Sequence, residues 1–174
     1  MKSYYLISLL LLALAAVPFL VRALKDTRHR GRELTVIAVM TAIAVIARSV
    51  FYMLPQVKPM AAVVILTGIS FGGSAGFLTG MLSGFVSNFI FGQGPWTPWQ
   101  MLGFGLLGAL AGWLFQKRTI SQKTRILATI YAFFSVLLLY GMLLDTATVL
   151  LSGNAPTKAM FLATYASGFV FNLI

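Results

Sequence analysis

The sequence predicts an all-α, polytopic membrane protein: a six-helix bundle preceded by one extra N-terminal transmembrane helix. Three observations predict it. Hydrophobic residues make up 59% of the 174 residues and charged residues 9%, with a mean hydropathy of +0.92, whereas an average soluble domain carries roughly 25% charged residues. Apolar runs close to the roughly 20 residues that cross a bilayer as helix recur from end to end. The charges are one-sided, 13 Lys+Arg against 3 Asp+Glu, and gather between the runs as they do in cytoplasmic loops. A soluble globule is excluded, and about seven spans leave no room for a separate ATPase or kinase domain. In a soluble protein the +10 charge would point to nucleic acid; beside apolar spans it reports topology. With no cysteine, disulfides and thiolate metal sites are excluded.

The first run, about Tyr4 to Leu24, is accompanied by Arg22, Lys25, Arg28, Arg30 and Arg32. That cluster resists translocation and no small-x-small cleavage site precedes it, so the run reads as a retained helix with its N-terminus outside. Residues 1–32 form this accessory segment, and 33–174 form the core. The first core helix, Leu34 to about Leu54, ends at Pro55, and Gln56-Val57-Lys58-Pro59 reads as a rigid outer turn.

From Met60 to Phe91 the chain stays apolar for 32 residues, about 48 Å as one helix against a hydrocarbon core of about 30 Å. A break is expected at Gly72-Gly73. Topology supports it independently: one crossing here would put the Lys117, Arg118, Lys123 and Arg125 loop outside, and two put it inside. The piece ending at Phe71 is short for a span and is expected to be tilted, kinked or protein-buried. Helices then run from about Pro98 to Phe115, Ile126 to Leu150, and Lys158 onward. This arrangement places nine cations inside (Arg22, Lys25, Arg28, Arg30, Arg32, Lys117, Arg118, Lys123, Arg125) and four outside (Lys2, Arg48, Lys58, Lys158). The last run stops at Asn172-Leu173-Ile174 without a polar flank, which reads as a chain cut within its final helix.

Glycines recur at four-residue spacing, Gly68, Gly72, Gly76, Gly80 and Gly84, then Gly108 and Gly112, a pattern that lets helix backbones approach in lipid. Ala38-x-x-x-Ala42 suits either internal packing or a docking face. Arg48 and Asp145 are ionisable residues within spans, where a charge at mid-bilayer costs on the order of 2.5–3.5 kcal/mol. Either they pair, or Arg48 snorkels, or they line an outer pocket together with Tyr52, one turn beyond Arg48, and Asn88. In Phe91-Gly-Gln-Gly-Pro-Trp-Thr-Pro-Trp-Gln100, Thr97 as N-cap, Pro98 at the first helical position and Gln100 at N3 fit a capping box. Trp96 and Trp99 serve either as interfacial anchors or as a lid over a flat ligand. No phosphate-binding Gly/Lys loop, no H-E-x-x-H and no carboxylate cluster occurs, which argues against an enzyme, an acidic proton relay or a bound cofactor.

The core pattern, the Ala38/Ala42 pair, the Gly-rich middle helices and above all Gly92-Gln-Gly-Pro-Trp-Thr-Pro-Trp-Gln-Met101 resemble the substrate-binding S-components of energy-coupling factor (ECF) vitamin transporters, the string being most like the cobalamin-type members. The resemblance covers roughly Glu33 to Ile174; the extra N-terminal helix and the short last one depart from it. It implies a plasma-membrane subunit, its core N-terminus cytoplasmic, that captures a vitamin from outside, cobalamin or a related corrinoid being favoured. It further implies delivery to a transmembrane coupling subunit driven by two cytoplasmic ATPases, with Ala38 and Ala42 contacting that subunit and the outer loops gating the substrate. On a helix Arg48 lies about 120° from Ala42, so both faces coexist. The expected substrate-binding residues are Arg48, Tyr52, Lys58, Asn88, Gln93, Trp96, Trp99, Gln100 and Asp145. His29 sits in the cytoplasmic loop, so a corrinoid would be held by shape, stacking and hydrogen bonds. A self-sufficient small-solute channel or secondary transporter, or an assembly protein in which Arg48 and Asp145 pair, are the competing readings.

Overall fold

The structure, a computed structural model, describes residues 30–54, 59–118, 121–152 and 156–173, with scattered positions between 6 and 21. Its helices are α1 (Arg30–Val50), α2 (Pro59–Phe71), α3 (Gly73–Phe91), α4 (Thr97–Phe115), α5 (Gln122–Leu151) and α6 (Lys158–Leu173). Among the described residues, α1, α3, α4 and α5 are long and apolar enough to cross a membrane, and the 13-residue α2 is apolar but shorter. This is an all-helical, multi-pass membrane protein.

Helix α1 is apolar on both sides. Ile37, Ala44 and Val45 are buried beside Thr41, whereas Val39, Ile43, Ile46 and Val50 are exposed. Lipid solvates the outer stripe as readily as protein solvates the inner one, so hydrophobicity does not mark the core side. The helix begins a turn before the expected Leu34 and ends at Val50, followed by turns in which the Leu54 N–H donates to the Phe51 carbonyl at 3.0 Å.

The break between α2 and α3 falls at Gly72, whose φ of 101° and ψ of 166° lie in a region essentially confined to glycine. Its N–H donates to the Gly68 carbonyl and its carbonyl accepts from the Gly76 N–H, each at 2.9 Å, so one residue ends α2 and starts α3. The chain folds back on itself there. A Cβ placed on Gly76 would lie 2.6 Å from the Gly68 Cα, which is possible only if the two helices form a hairpin.

Helix α4 docks on that hairpin through glycine. Backbone meets backbone at Gly73 and Gly112, at Gly76 and Gly108, at Gly80 and Phe104, and at Gly84 and Met101. One residue number rises by about four as the other falls by about four, which is the register of an antiparallel pair. The four-residue glycine spacing thus forms one continuous seam, its gain coming from dispersion contacts at close approach.

Ser121 caps α5, its hydroxyl accepting from the Thr124 N–H at 3.3 Å. The helix widens to π geometry over Ser135–Tyr140. There Tyr140 is buried against Phe104, ring centroids 4.4 Å apart, in space left by Gly103, where a Cβ would come 2.8 Å from the Tyr140 ring. The Tyr131 hydroxyl donates to the Leu107 carbonyl at 2.7 Å. The core joins α1, α2, α4 and α5 through Ala44, Met60, Ile65, Phe104, Leu107, Ala111 and Tyr140. Helix α6 lies on the C-terminal half of α5, with Thr146 and Tyr165 hydroxyls 2.9 Å apart. In the accessory segment the described positions are helical, and Ala16 is buried with Phe77 and Ala109.

Candidate functional site

The ends of α1, α3 and α4 that meet beside the 92–96 loop hold a hydrogen-bonded polar cluster. Arg48 extends from the last turn of α1 to α3, its Nη1 donating to Ser87 Oγ at 2.5 Å and to Asn88 Oδ1 at 3.1 Å. Its guanidinium also lies over the Phe91 ring, 4.7 Å from the centroid. Asn88 is buried, 1% exposed. Its Nδ2 donates to Thr97 Oγ1 at 3.0 Å and to Gln100 Oε1 at 2.8 Å, both on α4. The Thr97 hydroxyl accepts from the Gly94 N–H at 3.1 Å and donates to Gln93 Oε1 at 2.9 Å. Four expected residues, Arg48, Asn88, Gln93 and Gln100, are therefore brought together, and the physical reason is that a buried amide and a guanidinium in an apolar bundle must satisfy one another.

The expected capping box at α4 is not formed. Trp96 occupies the N-cap in helical geometry without a side-chain bond, and Thr97 falls inside the first turn. The Thr97 hydroxyl serves Asn88, Gln93 and Gly94 instead. A buried side-chain amide has no solvent alternative, whereas the helix N-terminus is near water, so the amide takes the hydroxyl.

Next to this cluster lies a cavity of about 450 Å³ between the start of α4 and the end of α5, lined by Trp96, Gln100, Leu144, Ala147, Thr148, Leu151 and Ser152. It is largely apolar with a few hydroxyl and amide groups, the makeup of a small-molecule pocket. Trp96 is 45% exposed and packs back over Gly94, where a Cβ would lie 2.6 Å from the indole Cε2. Glycine at 94 is therefore what lets the indole fold over the loop. Trp99 is half-buried, and its Nε1 is buried without a hydrogen-bond partner.

The remaining expectations fall elsewhere. Tyr52 is exposed and stacks on Phe91, centroids 4.7 Å apart, outside the cavity wall. Asp145 lies on α5 with its carboxylate against Gly168 of α6, while Arg48 is engaged with α3. Lys58 lies outside the described residues. Ala38 and Ala42 are both exposed on α1, on its outward side. Sequence reasoning missed Ser87, Thr148 on α5 and Ser152, which caps the C-terminal end of α5. Ser83-x-x-x-Ser87 at helical spacing in an otherwise apolar helix was the signal for the first; Thr148-x-x-x-Ser152 was a weaker one for the others.

Two further comparisons, with curated proteins and with solved structures, gave no match. A family profile does match: that of the "ECF-type riboflavin transporter, S component", over residues 30–174.

Proposed function

The chain belongs to the ECF-type riboflavin transporter S-component family, the substrate-specific subunits of ECF importers and not enzymes, and from that premise we propose that it captures riboflavin at the outer face of the plasma membrane. The match across the six described helices carries this reading. The cavity supports it: about 450 Å³ falls within the roughly 300–1,000 Å³ of small-molecule sites, and its apolar walls with Trp96 above suit a flat three-ring heterocycle. Gln100 supplies the polar contact. Its Oε1 is taken by Asn88, which leaves its Nε2 as a donor on the cavity wall.

The Gly92–Met101 string favours a corrinoid, but a corrinoid with its nucleotide loop is far bulkier than a flavin and would need this end of the bundle to open further. Flavin is therefore the better fit, and a corrinoid is the competitor to test. In the cycle we propose, the basic loops face the cytoplasm, and Ala38 and Ala42 meet a transmembrane coupling subunit powered by two ATPases.

Riboflavin is fluorescent and is quenched on stacking against tryptophan. Titrating it with the detergent-purified chain should give saturable quenching at one ligand per chain, which cobalamin does not compete away. Absence of quenching, with a saturable response to a corrinoid, would overturn the flavin assignment; no response to either would overturn vitamin capture.

A further inference from the structure

Asn88 and Thr97 have nothing left to offer a ligand on their donor side. Both amide hydrogens of Asn88 are donated, to Thr97 and Gln100, and its carbonyl oxygen faces Arg48. The one Thr97 hydroxyl proton goes to Gln93, and its oxygen accepts from Asn88 and from the Gly94 backbone. Each hydroxyl has one donor and two acceptor sites, so Thr97 is saturated. The chain of bonds runs without interruption from Arg48 on α1, through Asn88 on α3, to Gln93 and Gly94 in the loop that carries Trp96. Gln93 is held from a second side, its Nε2 donating to the Phe85 carbonyl of α3 at 3.0 Å.

We propose that Arg48 and Asn88 are positioning residues: they tie α1 and α3 to the 92–96 loop and hold that loop, with Trp96, closed over the cavity, and they do not touch the substrate. The assignment deepens the substrate-subunit reading and rests on it for what the loop encloses; the tie itself does not depend on the ligand. Three properties support it. The relay is buried at its midpoint, where Asn88 is 1% exposed, so its bonds are not in competition with water. It ends on a backbone N–H, that of Gly94, and so fixes the loop's main chain and not only a side chain. Neither Arg48 nor Asn88 lines the cavity, whereas Gln100, one bond further on, does.

The test uses the full chain in detergent without ligand. Hydrogen exchange is followed at the Gly94, Thr97 and Gln100 amides in the wild type, Asn88→Leu, Arg48→Met and Thr97→Val. Losing the relay should raise exchange at these amides roughly tenfold while amides of the α3–α4 seam keep their protection, and Arg48→Lys should restore it in part. Thr97→Val removes the loop end without disturbing the α1–α3 interface, so it decides the matter if the other variants fold poorly. Stopped-flow riboflavin quenching adds a second reading: an untied loop raises kon and koff together, whereas loss of a direct substrate contact raises koff alone. Unchanged loop exchange in every variant, or a rise in koff alone, overturns the proposal. If the wild type does not bind riboflavin, the substrate reading fails while the exchange measurement still decides the tie.

Discussion

Gly76 of α3 and Gly108 of α4 meet backbone to backbone: a Cβ on Gly108 would stand 2.8 Å from the Gly76 Cα and closer still to its carbonyl. The facing atoms are main chain and cannot rotate away. Gly108→Val should therefore destabilise the bundle by about 1–3 kcal/mol or more through forced separation of the helices. Gly31→Ala, where a Cβ would meet nothing within 4 Å, should not lower stability. Thermal unfolding in detergent compares the two, and an unchanged midpoint for Gly108→Val would contradict the seam.

Gly72 joins two constraints, the positive φ of 101° and the Gln116 amide 2.8 Å from where a Cβ would sit. Gly72→Ala should cost about 1–3 kcal/mol from the backbone conformation, plus the clash. Gly92 has the same φ with open space around it, so Gly92→Ala should show the backbone cost alone. Adding Gln116→Ala to Gly72→Ala should recover the difference, read from unfolding midpoints of the single and double variants.

The absence of cysteine makes single-cysteine labelling clean. With the loop between α3 and α4 outside and the α4–α5 connection inside, Pro95→Cys should react with a membrane-impermeant maleimide on intact cells. Lys123→Cys should react only after permeabilisation. The opposite pattern would contradict the proposed orientation or the double crossing of the α2–α3 hairpin, and labelling of both from outside would mean that α4 does not cross the membrane.

Trp96 offers its indole to the cavity without being part of the helical core. Trp96→Ala should weaken riboflavin binding by roughly threefold to tenfold beyond lost area, the worth of about 0.5–1.5 kcal/mol of aromatic stacking, and should reduce quenching at saturation. Trp96→Phe should retain most of the affinity. Equal affinity in wild type and Trp96→Ala would show that the lid is an interfacial anchor only.

Ala38 and Ala42 are exposed one turn apart on α1, so a large residue there finds room in the isolated chain. Ala42→Phe should leave the unfolding midpoint and riboflavin titration unchanged and reduce co-purification with the coupling subunit. Loss of vitamin binding as well would mean that this face is used internally.

The sequence by itself determined the class, the order of the described helices and the helix break. Bilayer thickness fixes span length, so a 32-residue apolar run had to divide, and Gly72 was the residue able to turn the chain. Glycine spacing likewise carried the α3–α4 seam, because periodicity on a helix is a local property. Partner choice is not local, and only the tertiary structure decided it. Arg48 and Asp145 read as a possible pair, yet the parallel packing of α1 beside α3 brings Arg48 to Ser87 and Asn88, and Asp145 meets α6. Thr97 read as a cap because its neighbours are capping residues; a buried amide 9 positions earlier takes its hydroxyl instead. The cavity wall on α5 was invisible in advance, since Thr148 and Ser152 acquire meaning only when α5 passes Trp96 and Gln100. In an apolar bundle each buried polar group binds whichever partner the packing delivers, and the packing is set by the whole chain.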